Sequence, residues 1–402
     1  MCKEANKLAQ LRRSGTNLAR AKLHNHSVVL DVIRTSGAIS RSKLAKITSL
    51  SRQTIQNIVS ELEHSNVITL SASKVTGRGH PGMDIRINPE CAFSAGFHID
   101  NGEIRGVVCN LEGKVIWTHR IIPEGESGDS VTAGIQNALL DFRQQHPMPA
   151  SRLVGIGLAA PGPFVSSDST EEITNYTGFG LSTTLRNLNE MFNMPFILDN
   201  DAAAAATGEF YYGLGRGVSN FVFLQFGLGI GAGLVIDGKI HRGTALNAGE
   251  IGHIIVEPDG LPCPCGNNGC LEQYLSFGAF CRHFNFIPTT ENFDREFASF
   301  MSEKQHAASE WFEQAGQRFK LLLNIIEMTF DPELIVIGGT APKQIMEQIL
   351  QSAQPLHRSL RKHNGSEMRV CMGTAGPDTV ALGAAATSLE KHFAPSVSQL
   401  LL

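Results

Sequence analysis

The chain has 402 residues, enough for two or three domains, and its 42% hydrophobic and 18% charged residues suit a soluble globular protein with a substantial core. Its 40 glycines fall in turn-like clusters without a regular period, which excludes a collagen-like or linker chain. No apolar run approaches the ~18 residues of a membrane span, and the N-terminus lacks the basic-then-apolar layout of a signal peptide, so a cytoplasmic chain without membrane insertion is expected.

The net charge of -4 conceals an asymmetry. Residues 1–90 carry 14 Lys/Arg against 6 Asp/Glu, whereas residues 91–402 carry 20 against 32. A basic block on an acidic body predicts that the block meets a polyanion and the body does not. Three of the eight cysteines crowd together at Cys263, Cys265 and Cys270; Cys2, Cys91, Cys109, Cys281 and Cys371 are scattered, as thiols in a reducing compartment are.

In chain order, residues 1–20 read as a polar, mobile tail. A first amphipathic helix follows around 26–35, with Val28, Val29, Val32 and Ile33 on its apolar face and Gly37 as its stop. A second starts after Ser40, with Leu44, Ala45 and Ile47 facing the core. Ser51 is placed to cap a third, in which Ile55, Ile58, Val59 and Leu62 recur at helical spacing. That leaves Arg52, Gln53, Thr54, Gln56 and Asn57 near the helix start, where a recognition helix reads base edges in the major groove. A strand at 67–70, the turn GRGHPG at 77–82 and the alternating strand 83–87 complete a hairpin with Arg78 and His80 at its tip, suited to a minor groove. The block therefore reads as a winged helix-turn-helix, with Ser51, Arg52, Gln53, Thr54, Gln56, Asn57, Arg78 and His80 as candidate contacts to operator DNA. A three-helix module that docks protein is the alternative.

From Phe93 onward, strand-like runs (94–97, 104–108, 154–159, 221–225, 334–337) alternate with helical patterns at 131–145, 202–210 and 308–330. This is an α/β pattern, with ligands expected at strand C-terminal ends. No internal repeat is evident. The most specific signal is His253 followed by Cys263, Cys265 and Cys270, four zinc-type ligands with glycines between them for tight turns. A fully ligated Zn2+ has no open position for water, so a structural role is expected. Nearby, Asn200 and Asp201 fall at a predicted strand end, Glu250 lies three residues before His253, and Glu272 two past Cys270. Carboxylates, an amide and an imidazole are the usual partners of sugar hydroxyls, and the knuckle would hold Glu250, His253 and Glu272 in register.

The run from Phe226 to Glu272 (GLGIGAGLVIDGKIHRG…AGEIGH…CPCGNNGCLE) resembles the signature and zinc motif of the ROK (repressor, open reading frame, kinase) family. The order winged helix, wing, body resembles its transcriptional-repressor branch. The resemblance spans nearly the whole chain. It implies a DNA-binding domain at 1–90 and a two-lobed actin/hexokinase-like body, with one α/β lobe at 91–200 plus 381–402 and a second, carrying the knuckle, at 201–380. It also implies that Asn200, Asp201, Glu250, His253 and Glu272 line a sugar site, with Asp201 at the place of the kinases' catalytic base.

ROK kinases cradle ATP phosphates in a loop of the type D-x-G-G-T, whose counterpart here is His98-Ile99-Asp100-Asn101-Gly102. A second loop carries Leu228 where the kinases have a threonine. Backbone N–H groups bind phosphate only where side chains do not obstruct them, and a carboxylate there repels it. Phosphoryl transfer rests on positioning and charge neutralisation, so both losses predict a pseudo-kinase that senses a sugar or sugar phosphate rather than converting it. The expected protein is a homodimer or homotetramer. Two other readings fit the same residues: a sugar kinase with an attached DNA-binding module, and a regulator controlled by a protein partner. The segments 260–264 and 174–182 are expected to shape sugar specificity.

Overall fold

The computed structural model of the chain describes residues 18–72, 83–100, 102–125, 127–166, 173–175, 181–287, 293–360, 369–373, 376 and 378–393. Arg78 and His80, with the rest of GRGHPG, lie outside them, as does the predicted tail up to residue 17. The chain divides into two compact units, residues 1–89 with 389–402, and residues 90–388.

In the first unit, α1 (Leu18–Ser36), β1 (Ile39–Ser40), α2 (Arg41–Thr48), α3 (Arg52–His64), β2 (Ile68–Ala72) and β3 (Met83–Ile87) follow one another. The sheet order is β1-β3-β2, with Ile39 opposite Ile85 and Ile68 opposite Ile87. Helix α1 begins well before His26, because residues 18–25 are good helix formers even though they lack an apolar stripe. It stops at Gly37, whose φ of 71° is left-handed. The Ser40 hydroxyl accepts from the Lys43 N–H to cap α2, and Ser51 accepts from Thr54 N–H to cap α3. Ile55, Ile58, Val59 and Leu62 are buried as their spacing predicts. In α2 only Leu44 is buried; Ile47 is 50% exposed, because this eight-residue helix presents a single turn to the core. His26 Nε2 lies 2.9 Å from Glu61 Oε2, tying α1 to α3.

The second unit contains two five-stranded sheets. The first is built from β4 (Phe93–Asp100), β5 (Glu103–Asn110), β6 (Val115–Ile121), β7 (Leu153–Ala160) and, after a small hairpin of β8 (Phe164–Ser166) and β9 (Ile173–Asn175), β10 (Phe196–Asn200). The second is built from β11 (Phe221–Phe226), β12 (Ile230–Ile236), β13 (Lys239–His241), β14 (Leu334–Gly339) and β15 (Val370–Met372). Their orders are β10-β7-β4-β5-β6 and β13-β12-β11-β14-β15. Each sheet opens with an antiparallel three-strand meander and adds its fourth and fifth strands parallel to the first. The same topology thus occurs twice, a repeat that the residues themselves do not display.

Helices α4 (Gly128–Gln145) and α5 (Leu181–Phe192) supply the crossovers of the first sheet, and α6 (Asp201–Tyr212) follows its last strand. Four helices, α7 (Glu272–Leu275), α8 (Phe277–Phe284), α9 (Phe293–Glu303) and α10 (Gln305–Phe330), lie between β13 and β14. Helix α11 (Lys343–Ser352) connects β14 to β15, and α12 (Thr379–Phe393) closes the series. Phe280 anchors the second core, with Phe284, Phe297, Phe300, Trp311 and Phe312 packed around it.

Small residues bring the layers together. A β-carbon on Gly96 or Gly157 would overlap the backbone of α12 at Ala381 or Ala384, so α12 lies directly on the first sheet. Gly233 does the same for α6 on the second sheet, at Ala202. Gly383 of α12 meets the Ala204 carbonyl of α6 without room for a side chain, so the two helices join the sheets through their backbones. Among the described residues no helix is long and apolar enough to cross a membrane.

Candidate sugar cleft, metal knuckle and recognition helix

A cleft of about 320 Å³ lies at the strand ends of the two sheets. All five predicted sugar-site residues, Asn200, Asp201, Glu250, His253 and Glu272, line it. Asn200 ends β10 and caps α6: its Oδ1 accepts from the N–H groups of Ala202 at 2.9 Å and Ala203 at 3.2 Å. That fixes the amide so that Nδ2 donates to Glu250 Oε1 at 3.1 Å. Asp201 opens α6 and accepts from Ala202 N–H at 2.7 Å. Glu272 opens α7 and accepts from Ile230 N–H at 3.2 Å. Glycines make room for these groups, since a β-carbon on Gly162 would overlap Glu250 Oε1, and one on Gly229 the Glu272 carboxylate.

Several lining residues were not read as part of the site. Asp100 and Glu103 face each other across the β4–β5 turn and both line the cleft, as do Gln225 and Thr340. Gln225 is 3% exposed, and its Oε1 has no hydrogen-bond partner among the described residues. The buried Asp199, next to Asn200, receives a two-pronged ion pair from Arg242 at 2.9 Å and a hydrogen bond from Thr387 at 3.1 Å, which anchors the end of β10. In sequence Asp199 and Gln225 look like ordinary strand residues. The adjacency of Asp199 to Asn200 was the one available signal.

The cleft is acidic. Asp100, Glu103, Asp201, Glu250 and Glu272 line it, and no Lys or Arg does among the described lining residues. Burial, then the neighbouring Glu250 and Asp100, hold the Asp201 carboxyl well above the usual aspartate range. Burial and Glu272 push Glu250 up to about 7; burial and Glu103 push Asp100 up to about 6. Glu103 instead has partners, Arg105 at 2.9 Å and Arg120 at 2.6 Å. His98, at the first position of the phosphate-loop counterpart, is buried with Nε2 unpartnered among the described residues, and desolvation pushes its pKa down to about 3. The His98 imidazole is thus enclosed and neutral.

His253 ends the short helical turn Ile251–His253, and the three cysteines follow in a tight knuckle. The ligand atoms of His253, Cys263, Cys265 and Cys270 lie within 4.8 Å of one another, a cluster able to hold a metal ion. Cys265 and Cys270 Sγ are 3.7 Å apart, and Cys263 Sγ lies 3.5 Å from His253 Nδ1. A tetrahedral zinc with ordinary bond lengths requires separations of about 3.8 Å and about 3.6 Å, so the donor set fits that ion. Asn267 Nδ2 and Gln273 Nε2 donate to Cys265 and Cys263 sulfurs, the outer contacts that orient ligands. His253 serves both assignments: Nδ1 faces the cysteines, and Nε2 lies 3.8 Å from Glu250 Oε2 at the cleft. The segment 260–264 is not among the residues lining the cleft; Leu261, Pro262 and Pro264 border a separate cavity. Most of the segment 174–182 lies outside the described residues.

On α3, Arg52, Gln53, Gln56 and Asn57 are exposed, and Gln53 donates to Asn57 at 3.0 Å. The Ser51 hydroxyl accepts from the Thr54 N–H to cap the helix, and the hydroxyls of Ser51 and Thr54 lie 2.8 Å apart.

Residues 95–391 match the family model described as the ROK family. The chain belongs to the ROK family. It is 25% identical over 386 residues to the xylose repressor of Bacillus spizizenii, an alignment covering 92% of this chain and 95% of that one. It is 33% identical over 284 residues to the glucokinase of Halalkalibacterium halodurans, covering 64% and 83%. Among solved structures, a ROK family transcriptional regulator, homologous to the E. coli MLC protein, shares the fold at a TM-score of 0.73 and 23% identity, over 95% of this chain and 99% of that one. Near-complete coverage of a repressor, against partial coverage by the glucokinase, supports the family's repressor branch. The actin/hexokinase-like ROK fold expected from sequence is the observed one.

Proposed function

We propose that this ROK protein is a sugar-responsive, DNA-binding transcriptional repressor whose cleft senses a neutral sugar and does not phosphorylate it. The observation that carries the reading is the charge of the cleft. It offers five carboxylates, two amides and an imidazole to hydroxyl groups, and no Lys or Arg among its described lining residues to a phosphate. Sugar hydroxyls donate to Asp201, Glu250 and Glu272, and the Asn200 amide, already bound to Glu250, is oriented for a shared hydroxyl. A sugar phosphate or nucleotide would add negative charge beside Asp100, Glu250 and Glu272, so a neutral sugar is the favoured ligand. Xylose, named for a relative, heads the panel.

The DNA-binding side of the proposal uses Arg52, Gln53, Gln56 and Asn57 on α3, with Ser51 and Thr54 setting the helix start and Arg78 and His80 assigned to the wing. In a homodimer or homotetramer in the cytoplasm, paired α3 helices would read half-sites about 34 Å apart. Sugar closes the two lobes, taken as 91–200 with 381–402 and 201–380, and alters operator affinity to the extent that it binds one state better. His253, Cys263, Cys265 and Cys270 would hold a structural zinc ion, whose four ligands lock the loop bearing Glu250 and Glu272.

One feature favours a second reading, a sugar kinase with an attached DNA-binding unit: Asp201 faces the cleft from the start of α6, where a base would stand. Titration calorimetry with the sugar panel, coupled to an ADP-release assay with Mg-ATP, separates the two. The repressor reading requires sugar binding with no sugar-dependent ADP. Sustained turnover would replace it with the kinase, and failure of every sugar to bind would favour control by a protein partner.

A further inference from the structure

We propose that the separate cavity behind the knuckle is a second ligand site, one that takes a small organic anion, a phosphate or carboxylate carried on a ring. The cavity measures about 580 Å³, within the range of small-molecule sites, and the knuckle segment that does not face the cleft forms one of its walls. Its charge is the opposite of the cleft's. Arg282, His283 and Arg318 line it, and no Asp or Glu does among the described lining residues.

The two arginines differ in how they are held. Arg318 is fixed: its guanidinium lies 4.7 Å from the centre of the Tyr274 ring, and it is ion-paired with Glu257. Arg282 forms no ion pair among the described residues. Its Nη2 donates to the neutral Gln273 Oε1 at 2.8 Å, so the guanidinium is oriented, and the exposed side chain has no carboxylate partner to displace among the described residues. A planar fork of this kind is matched by phosphate or carboxylate oxygens. Tyr274 and Trp311 also line the cavity, and Leu261, Pro262 and Pro264 complete an apolar wall. An anion with an apolar body fits both features; a bare ion uses only one of them.

The cavity is joined to the cleft through side chains. Arg282 holds Gln273 Oε1, Gln273 Nε2 donates to Cys263 Sγ at 3.5 Å, Cys263 Sγ is 3.5 Å from His253 Nδ1, and His253 Nε2 faces Glu250. An anion that draws on Arg282 therefore acts on the residue that orients a knuckle ligand. Coupling between the sites would be reciprocal.

The test uses the full-length protein with its metal retained, titrated with phenyl phosphate and benzoate by calorimetry and by intrinsic fluorescence, since Trp311 is one of only two tryptophans. Saturable binding is expected for at least one probe, and which one names the anion. Arg282→Gln should weaken it at least tenfold, His283→Ala to a smaller extent, and Asp201→Asn in the cleft should leave it unchanged. Absence of saturable binding at millimolar probe would overturn the proposal. Binding that survives Arg282→Gln but is lost in Asp201→Asn would overturn it too, by assigning the anion to the cleft. Binding here stands or falls apart from sugar sensing, which Asp201→Asn tests in the same series.

Discussion

The two sheets of the body share one strand order but end in different chemistry. In the first, the turn between β4 and β5 carries Asp100 and Glu103 into the cleft; in the second, the turn between β11 and β12 brings Gly227, Leu228 and Gly229. Both turns occupy places where a phosphate-binding protein needs open backbone N–H groups or cations. One presents carboxylates and the other an isobutyl group. The end of β10 and the residues flanking the knuckle bring Asn200, Asp201, Glu250, His253 and Glu272 to the same cleft. The two sheets thus share a strand order while the turns they bring to the cleft differ in charge, a difference on which the proposed sensing role rests.

The largest effect should come from breaking what joins the sheets. Gly383→Val places a side chain into the Ala204 carbonyl of α6 and should cost about 3 kcal/mol or more, seen as loss of soluble protein or a sharply lowered unfolding midpoint. Next, Cys265→Ser or chelation should strip the metal proposed for the knuckle, measured by elemental analysis, and weaken sugar binding by about ten- to a hundredfold, because Glu250 and Glu272 would lose their frame. Intact sugar affinity in metal-free protein would separate the knuckle from the cleft.

A smaller effect belongs to the DNA unit. Arg52→Ala should weaken operator binding by about 1–3 kcal/mol with the body's midpoint unchanged. The smallest concerns pH. The Asp201 carboxyl is raised in the folded body above its unfolded value, so the stability it contributes is present below the ordinary aspartate pKa of 3.8 and is lost as pH rises through the folded value. Asp201→Asn removes that loss and should raise the midpoint at pH 8 by about 2 °C. A lower midpoint at pH 8 would show that the carboxylate is not held against burial and the neighbouring carboxylates.

Much of this molecule was legible in its residues, for identifiable reasons. The caps Ser40 and Ser51 and the stripe Ile55–Leu62 act locally, so spacing alone revealed α2 and α3. The four knuckle ligands are close in sequence and chemically distinctive. Asn200 and Asp201 stood out because an apolar strand runs into an alanine-rich helix at that point. What stayed hidden depends on distant pairing. The start of α1 lacks a stripe, and Ile47 has apolar chemistry without a core position. The repeated sheet order resides in hydrogen bonds between strands, not in matching residues. Gly96, Gly157 and Gly383 matter through the helix each one meets, and Gln225 through the cleft its strand borders. The segment 260–264 was expected to shape sugar specificity; Leu261, Pro262 and Pro264 border the other cavity, a placement that depends on how the chain folds around the knuckle.

The most direct test is fluorescence anisotropy of a labelled duplex from the region upstream of the protein's own gene, at fixed salt because the electrostatic part of affinity varies with it, with and without xylose and other neutral sugars. The account predicts tight binding that one neutral sugar shifts at least tenfold, with no such shift in Asp201→Asn. Tight binding that no sugar alters, together with sugar-dependent ADP release, would contradict it.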